Sequence, residues 1–397
     1  MHRKIRNGIF FVFLTIFVIG APVIVLYTAG YRLNLTTFRV QRTGVVAITT
    51  LPRGASVTMN NVLIAEKTPY VVQRLTPGDY DVLIQKAGYQ PWAQHVTVGS
   101  GSTMYITALL FSDTKPELLL EESALSVVGD RSGRFVYLLV ESGRAHEVWR
   151  YDTVTRLQKK LYNDAGSAIT HIALNFDEST LFLSVDDDTL LDPIGIPVDG
   201  GRPLNVDEVA TAMNALPEYS FFDNGSNVEM RLASTDELVT LLPPSTYTVA
   251  FRNSTIAILK DTRDRAYLVN LNTQSVSQID LATALLSESP TDNLLAASDG
   301  NEIDVYNPQT GERTFIARQS EPILALTWHS SDRALLFATA TKIIAIERDK
   351  YETRETTTLV DDGASIIDMW PDTTGKSLTF FGTVGDITGI WKVVLTQ

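Results

Sequence analysis

Three observations predict the fold class. Residues 8–31 form an apolar run with no charge inside it, residues 43–98 alternate apolar and polar with period 2, and from Ser126 onward a strand-only pattern recurs about every 40 residues. Together they predict an all-β protein on one N-terminal transmembrane helix, with a small antiparallel β-sandwich followed by a seven-bladed β-propeller. The expected divisions are a cytoplasmic tail 1–7, a membrane helix 8–31, a linker 32–42, a β domain 43–112 and a propeller 113–397.

The apolar run, Gly8 to Tyr31, is bracketed by Arg6 and Arg32. At 1.5 Å per residue it spans about 36 Å, enough for a hydrocarbon core of about 30 Å. It exceeds the apolar core of a signal peptide, and Tyr27 and Tyr31 stand where an interfacial belt wants aromatic rings. Ala29 and Gly30 keep cleavage open, but the reading is a retained anchor. Arg3, Lys4 and Arg6 cluster before the run, which tilts the topology toward a cytoplasmic N-terminus and an extracytoplasmic bulk.

Composition narrows the function classes. The formal net charge of −13 opposes binding to phosphate backbones, so nucleic acid is not an expected partner. The chain has no cysteine, which removes disulfides, thiolate metal sites and cysteine nucleophiles.

Past the linker, Gly44–Thr50 alternates as a strand and is broken at Leu51-Pro52-Arg53-Gly54-Ala55. Ser56–Met59 and Val62–Ile64 flank an Asn60-Asn61 turn. Pro77-Gly78 predicts a type II turn, with glycine at positive φ. Tyr80–Gln85 follows, then a turn at Ala87-Gly88-Tyr89 and a strand through Val96 and Val98. The segments Thr50–Val57, Thr68-Pro69, Pro77-Gly78-Asp79-Tyr80 and Lys86-Ala87-Gly88-Tyr89, over Thr43 to about Val98, resemble the PEGA domain family, with Arg53 where the eponymous Pro-Glu-Gly-Ala turn has glutamate. The resemblance implies a non-catalytic β module common in envelope proteins. Pro52, Gly54, Ala55, Pro77, Gly78, Gly88 and Tyr89 are then structural, the glycines serving backbone geometry.

In the remainder, a turn residue recurs as Asp130, Asp177, Asp223, Asn253, Asp292, Asp332 and Asp372. The 242 residues between the first and last make six intervals of about 40, the spacing of propeller blades. Phe135, Phe182 and Phe337 stand five residues past a turn, and Trp149 and Trp391 nineteen past. The orphan strand 116–121 is placed to pair with the C-terminal strand around Ile390 and close the ring, which removes exposed edges. The texture resembles WD40-like propellers of the TolB type, without the Gly-His and Trp-Asp dipeptides of true WD40 repeats. It implies a habit of binding macromolecules.

Chemistry-bearing motifs are sparse. The five histidines show no metal-ligand spacing, and His146-Glu147-Val148-Trp149-Arg150 has arginine where a zinc-protease helix needs its second histidine. Asp186 and Asp188, with Asp187 and Asp192, offer hard oxygens for Ca²⁺, but without EF-hand spacing a solvated hairpin is the reading, and they stay weak metal candidates. Trp149, Trp328, Trp370 and Trp391 read as packing between blades, and Trp92 as a ligand-contact candidate. No cofactor is expected, and the oligomeric state is left open. The resulting expectation is a membrane-anchored binding or scaffold protein of the cell envelope. The bilayer is one partner through residues 8–31, and an envelope protein or cell-surface polymer is the other. The alternative is a glycan-active hydrolase or lyase using carboxylates in the propeller channel.

Overall fold

The computed structural model describes residues 3–28, 30–34, 39–164, 169–175, 177–184, 194–213, 219–232, 235–361 and 365–396. Asp186 and Asp188 lie outside the described residues. The chain divides into two compact units, 1–112 with 349–355, and 113–348 with 356–397.

Helix α1, Arg3–Thr28, carries the apolar run, and its span Gly8–Thr28 is long and apolar enough to cross a membrane. Inside it Thr15 and Thr28 donate their hydroxyls to the carbonyls of Phe11 and Val25, so neither brings an unpaired polar group to the apolar surface. The helix stops before Tyr31, earlier than the sequence suggests. Gly30 takes φ +82°, and Tyr31–Asn34 pairs with Arg39–Arg42 as a two-stranded ribbon. The expected linker thus contains paired strands, with the Arg42 guanidinium 5.5 Å from the Tyr31 ring centre.

The small domain is a sandwich of seven strands, Gly44–Leu51, Ser56–Met59, Val62–Ala65, Tyr70–Leu75, Gly78–Gln85, Trp92–Val98 and Thr103–Leu109, in sheets of three and four. Period 2 is obeyed: Val46, Ile48 and Thr50 point inward from the first strand, and Trp92, Gln94, Val96 and Val98 from the sixth. One pairing departs from the antiparallel expectation. Gly44–Leu51 and Thr103–Leu109 run parallel, from Val45 opposite Thr103 to Leu51 opposite Leu109. The chain therefore enters the domain at one end and leaves at the other, about 20 Å away at 3.3 Å per residue. Gly78 lies at φ +152°, already inside its strand, rather than near the +80° of a type II turn.

The second unit contains seven antiparallel sheets, numbered here blades 1 to 7: residues 126–164, 171–197, 219–242, 247–279, 285–318, 325–347 with 356–360, and 365–394, the last joined by Glu117–Glu121. That strand pairs with Ile387–Val394, with Leu118 opposite Trp391 and Glu121 opposite Gly389. Apolar clusters lie between successive blades: Tyr137, Leu139 and Leu181 join blades 1 and 2, and Val136, Phe381 and Ile390 join blades 1 and 7.

Each innermost strand ends in a turn whose first side chain caps it. Asp130 Oδ1 accepts the amides of Arg134 and Phe135, Asn175 that of Thr180, and Asn253 those of Thr255 and Ile256. Ser289 accepts from Asp292, His329 Nδ1 from Ser331, and Asp372 from Thr374 and Ser377. Three residues past the cap in four of these turns, Gly133, Glu178, Asp332 and Gly375 take φ between +57° and +70°. Three of the four accept a bond from the preceding blade there: Arg131 N reaches Glu178 at 2.8 Å, Ser289 Oγ reaches Asp332 at 2.8 Å, and His329 Nε2 reaches the Gly375 carbonyl at 3.1 Å. We refer to this side of the ring as the capped face.

These caps correct the sequence register. Asp177, Asp292 and Asp332 stand two or three residues past the true cap positions, Asn175, Ser289 and His329. Asp223 lies on the other face altogether. Blade 3 repeats the signature of the hairpin between third and outermost strands: Asp236 N to Leu232 O and Leu232 N to Glu237 O, with Asp236 at φ +56°. Blade 1 has the same bonds from Arg156 N to Asp152 O and from Asp152 N to Leu157 O. The strands of blade 3 are thus its second, third and fourth, and Asp223 turns between second and third. Among the described residues blade 3 has no innermost strand and blade 2 no outermost one; helix α2, Val206–Met213, follows blade 2 in the chain.

Burial pushes the His329 imidazole below its ordinary 6.5, although the Gly375 carbonyl and the charges of Asp372 and Asp332 pull the other way. The ring is therefore neutral, with the proton on Nε2. The unfolded chain takes up a proton below about pH 6.5 that the folded one refuses, so propeller stability is expected to fall as pH drops from 7.5 to 5.5. His329→Asn, which keeps a capping acceptor without a titrating group, is expected to flatten that slope in thermal melts of the full chain.

Candidate functional site

The innermost strands converge on a cavity of about 690 Å³ at the capped face, lined by residues from blades 1, 4, 5, 6 and 7. Its walls combine Phe251, Leu286 and Met369 with Arg131, Arg252, Glu288 and Ser330. A second cavity of about 490 Å³ lies between blades 4 and 5 on the same face. Glu288 and Asn293 line both cavities, so they form one trough from the ring centre outward.

Three carboxylates line the central cavity: Asp130, Glu288 and Asp372. Asp130 is spent on its own turn, and Glu288 accepts the Asn253 amide at 2.6 Å. At Asp372 burial pushes the carboxyl up, but bonds from Ser377, Thr374 and backbone amides outweigh it and hold it below the usual range. These groups are fixed acceptors. Asp368, on the innermost strand of blade 7, differs: burial pushes it up to about 6 against hydrogen bonds from the Met369 amide and Trp370.

The candidates from the sequence fall mostly outside the trough. Trp92 is 2% exposed in the sandwich core, with Tyr351 packed edge-on at 5.6 Å between ring centres. A surface contact through Trp92 is therefore corrected to a core role, because strand alternation turns position 92 inward. Tyr351 belongs to the segment 349–355, which lies within the expected propeller range 113–397 but packs with the small unit, Thr353 and Glu355 bonding Gln94. Trp328 and Trp370, 2% and 8% exposed, line the central cavity from within their blades, and Trp391 is buried outside it at 7% exposure. Trp149 is half-buried under Lys160, and His146 stands on a strand.

Pro52, Gly54, Ala55, Gly88 and Tyr89 converge on the end of the sandwich where the chain leaves. Lys86 Nζ donates to the Arg53 carbonyl at 2.7 Å and lies over the Tyr89 ring, while the Ala55 amide reaches Thr68 Oγ1. Pro77 and Gly78 open the fifth strand. Gly54 and Gly88 adopt φ +86° and +81°. Among the described residues no cluster of three histidine or carboxylate side chains is placed to hold a metal.

What fold and trough define is a seven-bladed β-propeller carrying a small β-sandwich module behind an apolar helix. Residues 43–111 match the PEGA domain family. Solved structures similar to the chain include the RRP9 WD40 repeats (TM-score 0.47, 7% identity, covering 72% of this chain and 98% of that one) and U3-55K (0.45, 8%, 72% and 100%). A chain of the mitotic checkpoint complex aligns at TM-score 0.42 and 11% identity, covering 72% and 90%. No curated protein sequence matches.

Proposed function

We propose that this chain is a membrane-anchored, extracytoplasmic binding and scaffold protein of the cell envelope, whose capped propeller face binds a protein or a surface polymer. The observation that carries this reading is the trough, built by five blades at its centre and open between two of them. Pockets of several hundred Å³ with a few convergent polar groups are the usual form of a binding site. The spacer role of the PEGA domain is supported by its parallel first and last strands, which carry the chain from one end of the domain to the other. A binding role is favoured over glycan cleavage because Asp130, Glu288 and Asp372 are already engaged as acceptors. Helix α1 supplies the anchor, with its N-terminus in the cytoplasm.

The absence of native cysteine gives a direct test. Ser254 is exposed in the capped-face turn of blade 4, and Ser226 is exposed in the opposite-face hairpin of blade 3. In intact cells Ser254→Cys should react with an impermeant maleimide and, loaded with a photo-crosslinker, should give an adduct that Ser226→Cys does not. Labelling only after permeabilisation would reverse the orientation. Equal adducts from both faces, or none from either, would overturn the assignment of the face.

A further inference from the structure

We propose that the groove between blades 4 and 5 is a subsite for a neutral, polyhydroxylated glycan chain; this rests on the capped face being the binding face and names the class of polymer it takes.

Composition comes first. The outer half of the groove is walled by Asn270, Asn272, Ser275, Ser277, Asn293 and Gln309, all uncharged and all able to hydrogen-bond. A side-chain amide presents a donor and an acceptor side by side, which suits adjacent sugar hydroxyls. The groups are also unevenly occupied. Asn270 Oδ1 accepts the amides of Asn272 and Thr273, which leaves its NH₂ directed elsewhere. The side-chain amides of Asn272, Asn293 and Gln309 make no hydrogen bond among the described residues, and Asn293 is held in the left-handed region at φ +51°.

An extended peptide fits the same groove less well. Helix-in-groove and polyproline recognition rely on grooves that take apolar side chains. Here the aliphatic residues beneath the polar wall, Ile256, Leu268 and Leu295, are 8%, 7% and 1% exposed and already packed into the blades. They offer no pocket. Charge decides against an acidic polymer, since the one charged group in the lining is Glu288 and the chain carries a net −13. Length favours a chain over a single sugar, because the groove continues past Glu288 and Asn293 into the central cavity.

The test uses the full chain in detergent, with maltotetraose, cellotetraose and chitotetraose as neutral probes and tetragalacturonate as an acidic comparator, read by saturation-transfer difference NMR. At least one neutral probe should bind and tetragalacturonate should not. The double variant Asn272→Ala with Gln309→Ala should weaken binding about tenfold or more. Ser277→Tyr, which fills the groove from an exposed outer strand, should abolish binding without lowering the melting temperature. Failure of all three neutral probes, equal binding of tetragalacturonate, or an unchanged affinity in both variants would each overturn the glycan assignment. A protein adduct at Ser254→Cys alongside such a failure would leave the capped face intact as a binding face, whereas no adduct would remove both readings.

Discussion

Gly389→Ala is expected to open the ring at its seam. A Cβ at position 389 would lie 2.0 Å from the Leu120 carbonyl oxygen and 3.1 Å from Glu121 Cα, both on the strand that closes blade 7. Backbone of a paired strand cannot yield as a flexible side chain does, so Glu117–Glu121 must shift off Ile387–Val394. That shift strips the ladder from Glu117 opposite Lys392 to Glu121 opposite Gly389, and disturbs Leu119, whose carbonyl accepts the buried Tyr151 hydroxyl at 3.0 Å. Several hydrogen bonds at about 1 kcal/mol each, plus lost packing, give a cost of roughly 3–5 kcal/mol. The propeller transition should fall by about 10 °C in calorimetry, and hydrogen exchange should rise first in 117–121 and 387–394. Wild-type exchange in those strands would show that the seam does not depend on the close approach.

Trp92→Ala is expected to unfold the small domain. Truncating a buried tryptophan costs about 3–5 kcal/mol, a large share of what a domain of this size holds. Trp92→Phe should behave quite differently. The indole Nε1 has no hydrogen-bond partner among the described residues, so phenylalanine forfeits volume but no polar interaction and should cost about 1–2 kcal/mol. Circular dichroism and proteolysis of the full chain read both variants. If Trp92→Ala folds normally yet loses ligand binding, the core assignment is wrong and the contact role returns.

Much of this architecture is legible in the residues because it depends on local periodicity. The apolar run, the alternation of Gly44–Thr50 and the roughly 40-residue recurrence each follow from a single strand or helix burying one face. The positions of Gly54 and Gly88 follow from turns only glycine adopts readily. The pairing of Glu117–Glu121 with the last strand could be anticipated because an orphan strand and an open ring demand each other.

The phase of the repeat was harder to read. Aspartate alone does not mark the turn, because the capping position accepts other acceptors, as Ser289 and His329 show. Asp177, Asp292 and Asp332 therefore stand two or three residues past the caps of their blades, and Asp223 lies on the opposite face. The mean spacing survived because its end points, Asp130 and Asp372, are true caps. The PEGA resemblance stopped near Val98, whereas the family match runs to residue 111. The strand Thr103–Leu109 completes the sandwich by a parallel pairing with the domain's first strand, a long-range partner that short motifs do not announce.

By itself the sequence determined the apolar helix, the all-β class of both domains, the number of repeats and the absence of thiol chemistry, since these reside in composition and in periods of a few residues. Only the tertiary structure decided that Trp92 is core, that residues 349–355 belong with the small unit, and that Asn253, Glu288, Asn293 and Gln309 share one trough. Those facts depend on which distant strands lie side by side. Side-chain burial and convergence are set by pairings across tens to hundreds of residues, and a local pattern carries no record of them.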